Sequence, residues 1–228
     1  RVLDAGHAVL CDKPFGRSAA VAARMQAAAE TAGVAHLVNF EFRYDPSRVW
    51  LRDRINDGAL GDVEHVSWTH LSSGSLIPLR PYGWLFERAM GGGWIGAWGS
   101  HAIDALRWMV GEVEVLHAEP RTTIASRRDR DGRLHACEAE DGFSASLGLG
   151  RGATGAIDST FAASAPLAPR LVISGTDVNV ASDGTIIFQG NRVDVRVAVQ
   201  LLQAGENLPV KIWRAGREET LQAQPFLY

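Results

Sequence analysis

Two residues of types suited to proton transfer stand at the ends of regular elements. From Met90 to Glu112 a glycine-rich turn, Gly91-Gly92-Gly93, feeds a helical pattern that should begin at His101, capped by Ser100, and stop at Gly111. A histidine in the first turn feels the positive end of the helix dipole, which disfavours an imidazolium. His101 is therefore expected neutral near pH 7 and able to exchange a proton with a substrate hydroxyl. The same position also suits a histidine that only caps or packs. By helical spacing His101, Asp104, Ala105 and Trp108 share one face, and Ile103, Leu106 and Val110 another. The second residue is Lys13. It follows a buried-strand pattern, Ala8 to Cys11, and precedes Pro14, which restricts it to an extended conformation and sets the direction in which the chain leaves the strand.

The elements that must position these two groups read clearly in places. Ser18 to Ala32 is a helix capped by Ser18 and ended by Gly33. Val34 to Tyr44 alternates, with Val38, Phe40, Phe42 and Tyr44 on one side and Asn39, Glu41 and Arg43 on the other, and predicts a strand. Its polar face is either simply wet or turned into a cleft at the strand's C-terminal end. Pro46 allows a helix from Ser47 to about Asn56, and Val63 to Leu71 is a strand. Ser72 to Trp84, with Pro78, Pro81 and Gly83, reads as an irregular loop. Arg80, Tyr82 and Trp84 suit a ligand that hydrogen-bonds and stacks, yet aromatic residues here more often belong to a core, and Trp94 and Trp98 carry the same two readings.

After Glu112 the pattern turns to strands. Val113 to Ser126, Glu138 to Leu149, Ala153 to Ala162 and Arg170 to Ser174, with shorter strands up to Gln222, predict an antiparallel sheet built by hairpins. Arg127-Arg128-Asp129-Arg130 reads as a solvated hairpin tip. His65 and His70 fall on opposite faces of one strand, which argues against a shared metal, and no His/Cys cluster has zinc spacing. A sheet with one face bare of helices would expose apolar surface, so self-association as a homodimer or homotetramer is expected.

Composition narrows the class. The 228 residues are 46% hydrophobic and 21% charged, as in an ordinary globular protein. A net charge of −3 gives no reason to expect nucleic acid or an anionic membrane as partner, and no apolar run reaches bilayer-spanning length. Two cysteines, Cys11 and Cys137, are too few for a disulfide framework, and a cytoplasmic setting is expected.

Asp12-Lys13-Pro14 at a strand end, Phe-Arg-Tyr-Asp-Pro at Phe42 to Pro46, and the glycine turn with Gly-Ser-His-x-x-Asp at Gly99 to Asp104 together resemble the Gfo/Idh/MocA family, the glucose-fructose oxidoreductase and inositol dehydrogenase group. The resemblance runs from Ala5 to about Phe161. It implies an α/β plus α+β fold, in which residues 1–45 are the C-terminal remnant of a dinucleotide-binding Rossmann domain. Residues 46–228 would be a mostly antiparallel, open-sheet substrate and oligomerisation domain with helices on one face. No Gly-x-Gly-x-x-Gly turn stands between a strand and a helix, so the chain is expected to be a fragment of a longer protein. The resemblance further implies Lys13 and His101 as the catalytic pair and NAD or NADP as cofactor. Asp12, Lys13, Pro14 and Glu41 would lie on the cofactor side, and Arg43, Tyr44, Trp84, Trp98 and Asp104 around a sugar or polyol. The family usually carries an aspartate four residues before the histidine, where this chain has Ala97. That departure leaves open a second possibility, a catalytically impaired ligand-binding or oligomerisation module.

Overall fold

The computed structural model describes residues 2–76, 80–181, 185–190, 193–198, 208–214 and 217–223, with side chains to residue 180 apart from Val178. Strand β1 (Val9–Asp12) runs parallel to β2 (His36–Asn39), joined by helix α1 (Ala19–Ala32). Ser18 caps α1, its hydroxyl accepting from the Val21 amide at 3.3 Å, and Gly33 ends it in the left-handed region at φ 63°.

The strand expected to run to Tyr44 stops at Asn39, and Glu41–Tyr44 is a 3-10 turn. Among the described residues no further strand pairs with this segment, and its side chains make tertiary contacts instead. Phe42 packs on His101 and Arg43 reaches Asp104. Such contacts outweigh a period-two pattern. Helix α2 (Pro46–Asn56) begins one residue earlier than expected. Pro46 occupies its first turn, and the Asp45 carboxylate accepts from the Ser47 amide at 3.0 Å.

The remaining strands are β3 (Val63–Leu71), β4 (Val113–Arg121), β5 (Ser126–Arg128), β6 (Leu134–Ala136), β7 (Gly142–Leu149), β8 (Thr154–Thr160), β9 (Arg170–Gly175), β10 (Val178–Ala181), β11 (Thr185–Gly190), β12 (Val193–Ala198), β13 (Leu208–Arg214) and β14 (Arg217–Ala223). One sheet has the order β12-β11-β10-β9-β3-β8-β7-β4. Hairpins do not account for all of it, because β3 enters its middle and pairs parallel to β8 while pairing antiparallel to β9. Turn signals mark where strands end; they carry no information on which distant strand fills a gap.

Helix α3 (Ser100–Val110) and α2 cover one face of this sheet. Leu51, Ala102, Leu106 and Met109 meet Val66, Trp68, Leu147, Ile157 and Ile173 in the core, none more than 3% exposed. Each large apolar side chain so buried contributes about 2 kcal/mol. On the helix-free face Ser144, Ser146, Ala156 and Asp158 are exposed, with Ser67, Thr69 and Val172 half-buried, so β3, β7 and β8 present mostly small and polar groups there; the side chains of β11 and β12 lie outside the described residues.

The basic hairpin also departs from its expected solvation. The alternation of β5 turns Arg127 inward, where it is 1% exposed with its guanidinium 4.0 Å from the Phe86 ring centroid and Nη1 donating to the Arg80 carbonyl at 3.0 Å. No described helix is long and apolar enough to cross a membrane.

Candidate active site

Lys13 and His101 line a single cleft of about 460 Å³, together with Asp12, Pro14, Glu41, Trp84 and Trp98. Lys13 arrives at the carboxyl end of β1, where the Asp12 carboxylate accepts from its backbone amide at 3.0 Å and the Lys13–Pro14 peptide is cis. Its ammonium group donates to the carbonyl of Ala97. That carbonyl belongs to a single π-helical turn, Ile95–Gly99, running straight into α3.

This π turn changes the expected helix start. Ser100 does not cap, since the backbone before it is already helical and its hydroxyl donates back to the Gly96 carbonyl at 2.7 Å. His101 therefore does not sit in a free first turn. Its imidazole, 2% exposed, lies 4.4 Å from the Phe42 ring in a stack and 5.7 Å from Phe40 edge-on. Burial holds its pKa below the ordinary histidine value, and the Lys13 ammonium pushes the same way, against the opposing charges of Glu41, Asp104 and Asp12. The ring is neutral near pH 7, as expected, but desolvation rather than the helix dipole is the main cause.

Glu41 approaches His101 from the 3-10 turn, its Oε1 3.4 Å from Nε2. Two residues on, Arg43 makes a two-pronged pair with Asp104, from Nε at 2.7 Å and Nη2 at 2.6 Å. Those hydrogen bonds hold the Arg43 guanidinium above its ordinary pKa. Arg43 and Asp104 thus face each other, and neither lines the cleft; Tyr44, 76% exposed, also lies outside it.

Aromatic rings form the remaining walls. Trp94 stacks on Phe161 at 4.3 Å and donates from Nε1 to the Ser159 hydroxyl at 2.8 Å. Trp98, at 6% exposure, packs edge-on against Trp68 and 4.8 Å from the His70 ring, so it is both core and wall. Trp84 is half-exposed at the cleft. Arg80 lines the same space with its guanidinium over Phe161, whereas Tyr82 turns away to stack on His135 at 4.4 Å. Phe161 was not signalled by any motif. It reaches the cleft because it follows the end of β8, next to the centre of the sheet.

A parallel strand pair beside a larger, mostly antiparallel sheet, with a lysine and a neutral histidine lining one cleft, defines a mixed α/β protein with a candidate ligand site. Residues 49–181 match the GFO/IDH/MocA C-terminal domain, and the chain belongs to that family. Among its relatives are levoglucosan dehydrogenase of Pseudarthrobacter phenanthrenivorans, 26% identical over 69% of this chain and 44% of the relative, and the rhizopine catabolism protein MocA of Rhizobium meliloti, 31% identical over 64% and 45%. Among solved structures, levoglucosan dehydrogenase in complex with NADH and L-sorbose superposes with a TM-score of 0.78 at 22% identity, covering 98% of this chain and 56% of that one. The WlbA dehydrogenase of Bordetella pertussis in complex with NADH and UDP-GlcNAcA gives 0.67 at 27% identity, over 79% and 49%. The chain spans about half the length of these relatives.

Proposed function

We propose that this chain serves a nicotinamide-dependent oxidoreductase that transfers a hydride between NAD(P) and a sugar, cyclitol or related alcohol. The observation that carries it is the meeting of Lys13 and His101 in one cleft. When bound, an oxidised nicotinamide supplies a hydride acceptor. The residues at the junction suit its ring: Asp12, Lys13 and Pro14 lie at or just beyond the carboxyl end of β1, where open α/β sheets take ligands.

The chain's own residues then divide the work. The neutral His101 takes the proton of the substrate hydroxyl, and the Lys13 ammonium holds the same oxygen and stabilises negative charge developing on it. Trp84, Trp94 and Trp98 offer flat apolar surface to the C–H face of a ring. Arg43 and Asp104 act by clamping the turn that carries Glu41. The names of the relatives, levoglucosan dehydrogenase and D-apiose dehydrogenase, support a carbohydrate substrate, and the NADH in the superposed complexes supports NAD(H). The same reading takes residues 1–45 as part of a nucleotide-binding domain and 46–228 as the substrate and oligomerisation domain, in a cytoplasmic homodimer or homotetramer associated through the open sheet.

Ala97, which presents no carboxylate to the cleft, favours the second reading, an impaired binding module. One experiment separates the two. With the protein expressed from its complete reading frame, NADH and NADPH are titrated by fluorescence and polyols are screened for cofactor reduction. Binding with turnover is expected; a folded protein that binds neither cofactor overturns the oxidoreductase.

A further inference from the structure

Both ring nitrogens of His101 are buried and have no hydrogen-bond partner among the described residues. Such nitrogens are costly to leave unsatisfied, and a base enclosed in this way must still pass to water any proton it collects. Phe42 and Phe40 close off the ring with hydrocarbon. Of the acidic groups facing it, Asp104 is held by two hydrogen bonds from Arg43, and Asp12 accepts from the backbone amide of Lys13. Residue 97, one turn before His101, offers only its carbonyl, to the Lys13 ammonium, which is the cation facing the ring. Glu41 remains. Its carboxylate is 3.4 Å from Nε2 and 54% exposed, so it touches the buried ring at one end and water at the other.

Two pairs join the same two elements in register. The 3-10 turn contributes Glu41 and Arg43, and α3 contributes His101 and Asp104. The Arg43–Asp104 pair fixes the turn against α3, and Phe42 between them stacks on the imidazole. Glu41 is therefore held over Nε2 by the two residues that follow it, Phe42 and Arg43.

We infer that Glu41 is the positioning residue of His101: its carboxylate orients the imidazole through Nε2, balances the imidazolium formed in turnover and leads the proton out to water. This rests on the oxidoreductase reading above. In alcohol oxidation the substrate O–H bond breaks and its proton passes to His101. The C–H pair leaves as hydride to the oxidised nicotinamide, a C=O bond forms, and the imidazolium returns its proton to water past Glu41.

The test uses the protein from its complete reading frame, with Glu41→Gln and Glu41→Asp, and histidine Cε1–H NMR titration in which His101→Asn assigns the His101 signal. Glu41→Gln should lower the His101 pKa, because a stabilising negative charge is gone. It should also cut kcat about tenfold, leave the cofactor KM unchanged and move the acid limb of kcat/KM to lower pH, with Glu41→Asp recovering most of the rate. A His101 titration that Glu41→Gln leaves unmoved overturns the inference. So does a raised cofactor KM with kcat intact, which would put Glu41 on the cofactor instead. Should no polyol reduce either cofactor, the oxidoreductase reading fails, and the NMR titration alone still decides whether Glu41 governs His101.

Discussion

The imidazole of His101 and the ammonium of Lys13 owe their state to where the chain puts them. Lys13 shares the cleft with a ring that burial keeps neutral, so the pair can divide charge and basicity between them. His101→Asn and Lys13→Met should each lower kcat by about 10²- to 10⁴-fold in steady-state assays, the usual weight of general acid–base catalysis, with cofactor affinity retained for His101→Asn. Burial also links histidine to stability. His70, like His101, has its pKa lowered by burial in the folded state, so the unfolded chain binds protons more readily. Stability is then full above the ordinary histidine pKa of about 6.5 and falls as pH drops below it. The urea midpoint should be lower at pH 5.5 than at 7.5, and His70→Gln should shrink that difference. At this scale the sequence was informative for residues with distinctive chemistry in short motifs, such as Lys13 before Pro14 and His101 after Ser100. It was silent on Phe161, whose place depends on the strand pairing, and it put Arg127 in solvent because charge patterning does not show which way a strand faces.

Elements carry these side chains into register, and two short irregular ones matter most. The 3-10 turn Glu41–Tyr44 is held by Arg43 on Asp104. With Arg43 39% exposed, a double-mutant cycle of Arg43→Ala and Asp104→Ala should give a coupling of about 1 kcal/mol by chemical denaturation. The glycine turn ahead of α3 is tight at one point. A Cβ on Gly92 would come within 2.3 Å of the Trp84 carbonyl oxygen and 2.5 Å of that of Leu85, backbone atoms that cannot swing aside. Gly92→Ala should cost roughly 1–3 kcal/mol in thermal unfolding and lower activity by displacing the π turn that holds Lys13. Regular elements were readable from periodicity and caps, as α1 and β3 show. The 3-10 turn was read as a continuing strand and the π turn as a capped helix start, because both are set by tertiary contacts at the cleft rather than by local preference.

The whole molecule places this cleft at the junction of the parallel pair and a sheet whose helix-covered face holds the core. The opposite face aligns Ser67, Ala156 and Ser146 in one row and Thr69, Asp158 and Ser144 in the next, with the Ser144 hydroxyl donating to Asp158 at 3.0 Å. These side chains are short, so a second sheet can stack closely on them, near the usual spacing of about 10 Å, without large groups to displace. Association there would rest on close packing and polar pairing rather than on the apolar burial expected of a sheet face bare of helices. It should therefore be sensitive to bulk. Sedimentation of the wild-type protein should show a dimer or tetramer, and Ser146→Arg with Ala156→Arg should move it toward monomer, because two long cations facing their symmetry copies combine steric overlap with repulsion. Near-unchanged folding by circular dichroism is expected alongside, since both positions are exposed in the single chain. An oligomer that sediments identically with both arginines in place would remove this face from the interface and leave the exposed strand β4, with Val115 and Leu116 50% and 60% exposed, as the surface to mutate next.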